Sequence, residues 1–251
     1  MTQQDRTQQH QIAEERPRPE TGWGHYIMEA FGVAAFFVLA LFVGVDIYRG
    51  MTEFGYAWLL PILAIMAYLA ADLFSGFVHF LADNFGSSET PIIGPNFVGA
   101  FREHHVDPKG ITTHDFVDTN GNNSLVSLPP MLLAWLAVPI ETTVAGYLFA
   151  AFFLLLCFAV FLTNQFHKWA HMEEPPSVAA WLQRRRWSLS QEHHEVHHES
   201  PYDTYYCITV GIWNPLLDRT RFFERTERLL RYVIPGMDPR LRVEQEGSLN
   251  E

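Results

Sequence analysis

Residues 144–171 read VAGYLFAAFFLLLCFAVFLTNQFHKWAH. No charge appears before Lys168, and the apolar part is long enough as a helix to cross a hydrocarbon core of roughly 30 Å. The run then ends on two histidines, His167 and His171, spaced i,i+4. A helix stacks such a pair on one face, about 5–6 Å apart at Cβ. A membrane span that delivers two imidazoles to its own end decides the fold class, and the rest of the chain is consistent with it.

Upstream, the apolar run 124–140 is joined to 144–168 by a tight turn at 141–143, which reads as a membrane hairpin. Run 26–48 carries only Glu29 and Asp46 as charges, both near its ends. Run 56–83 is broken only by Pro61 and Asp72. The expected fold is therefore an all-α integral membrane protein with four transmembrane helices and a cytoplasmic histidine-rich cap. Residues 1–22, rich in Gln, Glu and Pro, read as a disordered tail. They have no apolar core and so do not resemble a secretory signal. Residues 23–234 form the membrane domain, and 235–251 a second disordered tail. The polar loop 84–123 is too long for an ordinary connection, and such loops are usually functional. Within 172–251, apolar pairs among arginines (Leu216/Leu217, Phe222/Phe223, Leu229/Leu230) suit an amphipathic helix, lying on the membrane or on the protein's own soluble face.

Four spans place both termini, the long loop and the last segment on one side. Of 17 Lys+Arg residues only Arg49 then falls on the other. The positive-inside rule makes the crowded side cytoplasmic. The mean hydropathy of −0.01 reflects polar tails and loops that dilute the apolar runs. A net charge of −11 argues against a nucleic-acid partner. Two distant cysteines, Cys157 and Cys207, support neither a disulfide framework nor a thiolate site.

Twelve histidines is a large number for 251 residues. Ten of them fall at the cytoplasmic face: His79 near the end of the second span; His104, His105 and His114 in the loop; His167 and His171; then His193, His194, His197 and His198. His10 and His25 stand apart. His194, His197 and His198 share one helical stripe, while adjacent His104 and His105 suit two rings aimed at different ions. His193 lies outside that stripe and is expected to face away and tolerate change. Eight or nine imidazoles without a thiolate exceed one zinc, which takes three or four ligands. Two irons with about four histidines each fit better, since imidazole also suits iron. Metal-bound imidazoles usually give their other N–H to a carboxylate or carbonyl. Asp83, i+4 from His79, is placed in that supporting role, as are Glu103, Asp115 and Asp72. An acid inside a membrane run is costly and functional by default; the bland alternative is a partner for Arg102 or a hydroxyl.

Five segments, in order, carry a family resemblance: DLFSGFVH (72–79), FREHHVDP (101–108), ITTHDFVDTNG (111–121), NQFHKWAH (164–171) and HHEVHHESPYDTYYCIT (193–209). Together they resemble the Kua-type lipid desaturases, over roughly residues 65–220. The loop from Ile111 to Gly121 is most similar to the plasmanylethanolamine desaturase branch. Thr113 departs from the basic residue expected before His114. The resemblance implies a di-iron, oxygen-dependent desaturase with ligands His79, His104, His105, His114, His167, His171, His194, His197 and His198, supported additionally by Asn120 and Asn164. No catalytic residue is implied beyond the ligands. The implied reaction converts a 1-O-alkyl ethanolamine phospholipid to its vinyl ether with O2 as co-substrate. Arg102, Asp107 and Lys109 are placed at the headgroup, with Glu103, Asp115 and Asp118 available to its ammonium. No flavin, haem or nicotinamide motif is present, so two electrons must come from an external donor, a small acidic or haem protein docking on Arg184, Arg185, Arg186, Arg219 and Arg221. The competing enzyme is a di-iron desaturase or hydroxylase of another chain position. The non-enzyme alternative is a divalent-metal transporter, which the interfacial position of the clusters disfavours.

Overall fold

The computed structural model describes residues 22–86, 90, 91, 94 and 98–233. Both expected disordered tails, and His10 with them, lie outside these residues apart from Gly22. The described chain is helical: α1 (Trp23–Phe54), α2 (Leu60–Asn84), α3 (Gly99–Val106), α4 (Phe116–Ala137), α5 (Val144–His171), α6 (Ser177–Arg184), α7 (Gln191–Glu195), α8 (Asn214–Arg219) and α9 (Phe222–Val233). Three helical stretches are long and apolar enough to cross a membrane: Trp23–Phe54, Ala57–Asn84 and Val144–His171. Four spans were expected, and the difference lies in α4. That helix starts at Phe116, eight residues before the apolar run, and its first turns carry Asp118, Asn120, Asn122 and Asn123. Its apolar part, 125–137, covers only about 20 Å, and it contains Pro129 and Pro130.

The chain divides into two units, residues 1–68 with 109–168 and residues 69–108 with 169–251. It passes between them within α2 and within α5. In the first unit α4 lies parallel along α1. Small residues make this possible: a Cβ on Gly121 would fall 2.4 Å from Glu29, and one on Gly32 would fall 2.6 Å from Leu125. Farther along, Phe42 stacks on Trp135, whose Nε1 donates to Asp46 at 2.7 Å. At the far end Arg49 pairs with Glu141 at 2.9 Å, and Gly50 approaches the carbonyl of Ile140. Phe36, Phe158 and Phe161 form the aromatic centre of this core. Asp115 caps α4 by accepting from the N–H groups of Val117 and Asp118. Glu29 is buried and pairs with His25 at 3.3 Å.

In the second unit α9 puts Phe222, Phe223 and Leu230 into an apolar cluster with Phe77, Phe80 and Tyr206. Of the two sequence readings for this amphipathic helix, packing on the protein describes its aromatic face. Its arginines 225, 228 and 231 point to solvent.

Candidate metal centre

The second unit is organised by one stripe of α2. Asp72, Ser75, Gly76, His79 and Asp83 recur at helical spacing, and residues 206–213 run antiparallel along them. The carboxylate of Asp72 is fully buried and accepts backbone N–H groups from Thr209, Val210 and Gly211 at 3.2, 2.8 and 2.8 Å, and from Trp213 at 3.4 Å. Ser75 Oγ accepts from Ile208 N at 3.1 Å. Gly76 leaves room for Cys207, whose Sγ would sit 2.5 Å from an added Cβ. His79 Nδ1 donates to the Tyr206 carbonyl at 3.1 Å, and Asn84 Nδ2 donates to the Tyr206 hydroxyl at 3.0 Å. Asn214 closes the loop, accepting from Cys207 N and donating to its carbonyl. Asp72 therefore binds a backbone segment. It pairs with neither Arg102 nor a side-chain hydroxyl, and its four backbone partners could not be read from side-chain patterns.

At the end of that stripe four ligand atoms converge. They are Nε2 of His79, His105 and His197 and a carboxylate oxygen of Asp83, all within 4.8 Å of one another. Asp83 Oδ2 lies 3.2 Å from His105, 3.4 Å from His79 and 3.5 Å from His197. Asp83, expected to stand behind the imidazoles, stands among them. The tautomers make the group informative. His79 Nδ1 donates to Tyr206, and His197 Nδ1 donates to the Thr204 carbonyl at 2.6 Å. Each ring then presents a lone pair at Nε2, yet the two Nε2 atoms face each other at 3.1 Å. Two lone pairs and a carboxylate at that range repel unless a cation sits between them. Neutral imidazoles with carbonyl-bound Nδ1 are what a first-row metal requires.

A second group lies beside it. Nε2 of His104 faces Nε2 of His171 at 2.9 Å, and Nε2 of His198 faces Nε2 of His194 at 3.1 Å. Among the described residues no carboxylate belongs to this group. Burial, and then the neighbouring imidazoles, hold His104 well below the ordinary imidazole range and push His198 to about 2. Both rings are therefore neutral at pH 7 and available as ligands. His167, one turn before His171 on α5, is buried and presents its ring on the same helix face.

Sequence neighbours divide between the groups as expected from the adjacent pair: His104 goes to the second and His105 to the first. The turn after α7 does the same, sending His194 and His198 to the second and His197 to the first. His114 belongs to neither group among the described residues; its carbonyl accepts from Lys168. His193 faces away, as expected, but it is not idle. Its Nε2 accepts from Asn214 at 3.1 Å and its ring packs on Tyr205. Glu103, Lys109 and the five donor-face arginines are exposed, and Asp107 is half-buried. Asn120 Nδ2 donates to the Phe116 carbonyl and to Gln165, and Asn164 lies on α5 three residues before His167.

The lipid desaturase domain profile matches residues 68–242. The chain belongs to the lipid desaturase family. The chain is 48% identical over 190 residues to plasmanylethanolamine desaturase of Myxococcus xanthus, covering 75% of this chain and 66% of the relative. It is 42% identical over 187 residues to plasmanylethanolamine desaturase 1 of Mus musculus, covering 72% and 68%. It is 34% identical over 218 residues to chloroplastic fatty acid desaturase 4-like 1 of Arabidopsis thaliana, covering 85% and 70%. The chain thus spans about two thirds of the length of these relatives. No solved structure matches it. The family resemblance drawn from residues 65–220 is borne out.

Proposed function

We propose that this desaturase converts 1-O-alkyl ethanolamine phospholipids to their 1-O-alk-1′-enyl forms at a di-iron site. The observation that carries the reading is the convergence of ligand atoms in two adjacent imidazole groups, in a chain whose relatives include plasmanylethanolamine desaturases. One iron is assigned to His79, Asp83, His105 and His197. The other is assigned to His104, His167, His171, His194 and His198. Two bound irons would supply the oxygen activation that removes two hydrogens from the chain. The overall balance takes O2, two electrons and two protons, and yields one C=C bond and two waters. The protein's part is to fix the ligands. Tyr206 and Thr204 carbonyls set the tautomers of His79 and His197, and the Asp72 stripe holds residues 206–213 in place. A carbonyl at C1 of an ester chain has no hydrogen to lose, so a vinyl ether requires the ether substrate.

Four crossings are part of the reading. Pairs along α1 and α4 extend from Glu29–Gly121 to Phe42–Trp135, and Arg49 meets Glu141 just past the end of α4, so this segment follows α1 along most of its length. Its polar first turns then sit near the interface, and both termini and the histidines face the cytoplasm. Electrons enter from a small acidic or haem protein at Arg184–Arg186, Arg219 and Arg221, all exposed. Asp107 and Lys109 remain at the headgroup side of the loop.

The test supplies an alkyl-ether precursor to a host lacking plasmalogens and expresses this protein. Acid-labile aldehydes detected by mass spectrometry are the expected product. Loss of two mass units without acid lability, or a gain of sixteen, would assign another chain position or hydroxylation.

A further inference from the structure

We propose that Arg102 forms an anion-binding subsite that takes the phosphodiester of the lipid substrate. Arg102 is 4% exposed. One of its terminal nitrogens donates to the Gly86 carbonyl at 2.6 Å, and its Nε has no hydrogen-bond partner. Among the described residues no carboxylate lies within ion-pair distance of it. The acid the sequence offered as its partner, Asp72, is occupied by backbone N–H groups. A buried, permanently charged guanidinium without a counter-charge is strongly unfavourable. Its planar fork matches phosphate oxygens, and phosphate–guanidinium hydrogen bonds are charge-assisted.

Position specifies the ligand further. Arg102 and His105 are one turn apart on α3, on adjacent positions of one face. In a 1-O-alkyl phospholipid only the glycerol backbone separates the phosphate from the ether-linked carbon. A phosphate held by Arg102 therefore brings that carbon toward the imidazoles, whatever amine completes the headgroup. Lys109, by contrast, is exposed and suits a weaker contact. This subsite rests on the lipid-substrate reading above. It extends that reading by separating recognition of the phosphate, at Arg102, from recognition of the amine.

The experiment uses full-length protein in detergent, delipidated, as wild type, Arg102→Met and Arg102→Lys. Binding is measured without turnover for 1-O-alkyl-2-acyl-glycerophosphoethanolamine and for the phosphate-free 1-O-alkyl-2-acylglycerol. The expected result is a loss of phospholipid affinity of about 30-fold or more in Arg102→Met, the usual consequence of truncating one partner of a buried charged pair. Arg102→Lys recovers part of it, and the phosphate-free lipid binds all three proteins alike. Iron content stays at the wild-type level. Lipid-free Arg102→Met melts at or above the wild-type temperature, because a buried charge with no carboxylate partner among the described residues is gone. If Arg102 only props the Gly86 carbonyl, that variant melts lower and keeps its phospholipid affinity, which overturns the proposal. Inorganic phosphate is the second probe. Stabilisation of wild type by phosphate but not by phospholipid assigns a free anion and overturns the lipid assignment. Intact Arg102-dependent phospholipid binding with no vinyl ether formed would sink the ether reading and leave this subsite standing.

Discussion

Asp83 is the residue whose role changed most between sequence and structure. Its i+4 spacing from His79 was visible, and so was its place on the same helix face. Sequence could not tell whether the carboxylate stands beside the imidazole or behind it, because that depends on His105 and His197 arriving from elsewhere. The placement predicts that Asp83→Asn, which keeps shape and loses charge, drops bound iron from about two to about one per chain, whereas His114→Ala keeps both. Elemental analysis of purified variants decides this; iron loss in His114→Ala would contradict the two groups described. Acidity offers a second check. His104 and His198 are held below the ordinary imidazole range, so the unfolded chain binds protons that the folded rings refuse. Their contribution to stability is present above about pH 6.5 and is lost as pH falls below it toward the folded values. Metal-free protein should therefore melt at lower temperature at pH 5 than at pH 7. A melting point that does not move would contradict the burial of these rings as neutral bases.

At the level of elements, the stripe on α2 and the segment 206–213 act together. Removing the Asp72 carboxylate leaves four buried N–H groups without their acceptor. Asp72→Ala should cost at least about 3 kcal/mol. It should also lower iron content, since Tyr206 would no longer be held against His79. Gly76→Val drives a side chain into Cys207 and should cost roughly 1–3 kcal/mol by overpacking. Thermal melts with iron analysis measure both, and a destabilised variant with full iron would separate the stripe from the site. Little of this was legible beforehand. The apolar and histidine periodicities of α2 and α5 are strong, but the partners of Asp72 are backbone groups 137 to 141 residues away. His193, expected to face away and tolerate change, contacts Asn214 and Tyr205. His193→Ala should lower the melting temperature and leave iron in place.

For the whole molecule, the four apolar runs were plain from hydropathy, and three meet the length and apolarity of a span by themselves. The run in α4 falls short because the helix spends its first turns on polar residues, and its pairing with α1 lies in no window of sequence. If α4 crosses, a cysteine placed at Thr142 should be labelled only from the side opposite to one placed at Lys109. Labelling of both from one side would remove that crossing. The second unit has a further consequence, in the time it takes to make the protein. His79 and the carbonyl that orients it are 127 residues apart. At about 5–20 residues per second, His79 joins the growing chain roughly 6–25 s before Tyr206 does. During that interval α2 lies in the bilayer with its histidine, its two acids and Ser75 exposed to whatever else is there. Each nascent copy therefore passes through a stage in which neither histidine group is complete. Any ribosome that stalls before residue 204 leaves a chain without the two carbonyls that orient His197 and His79.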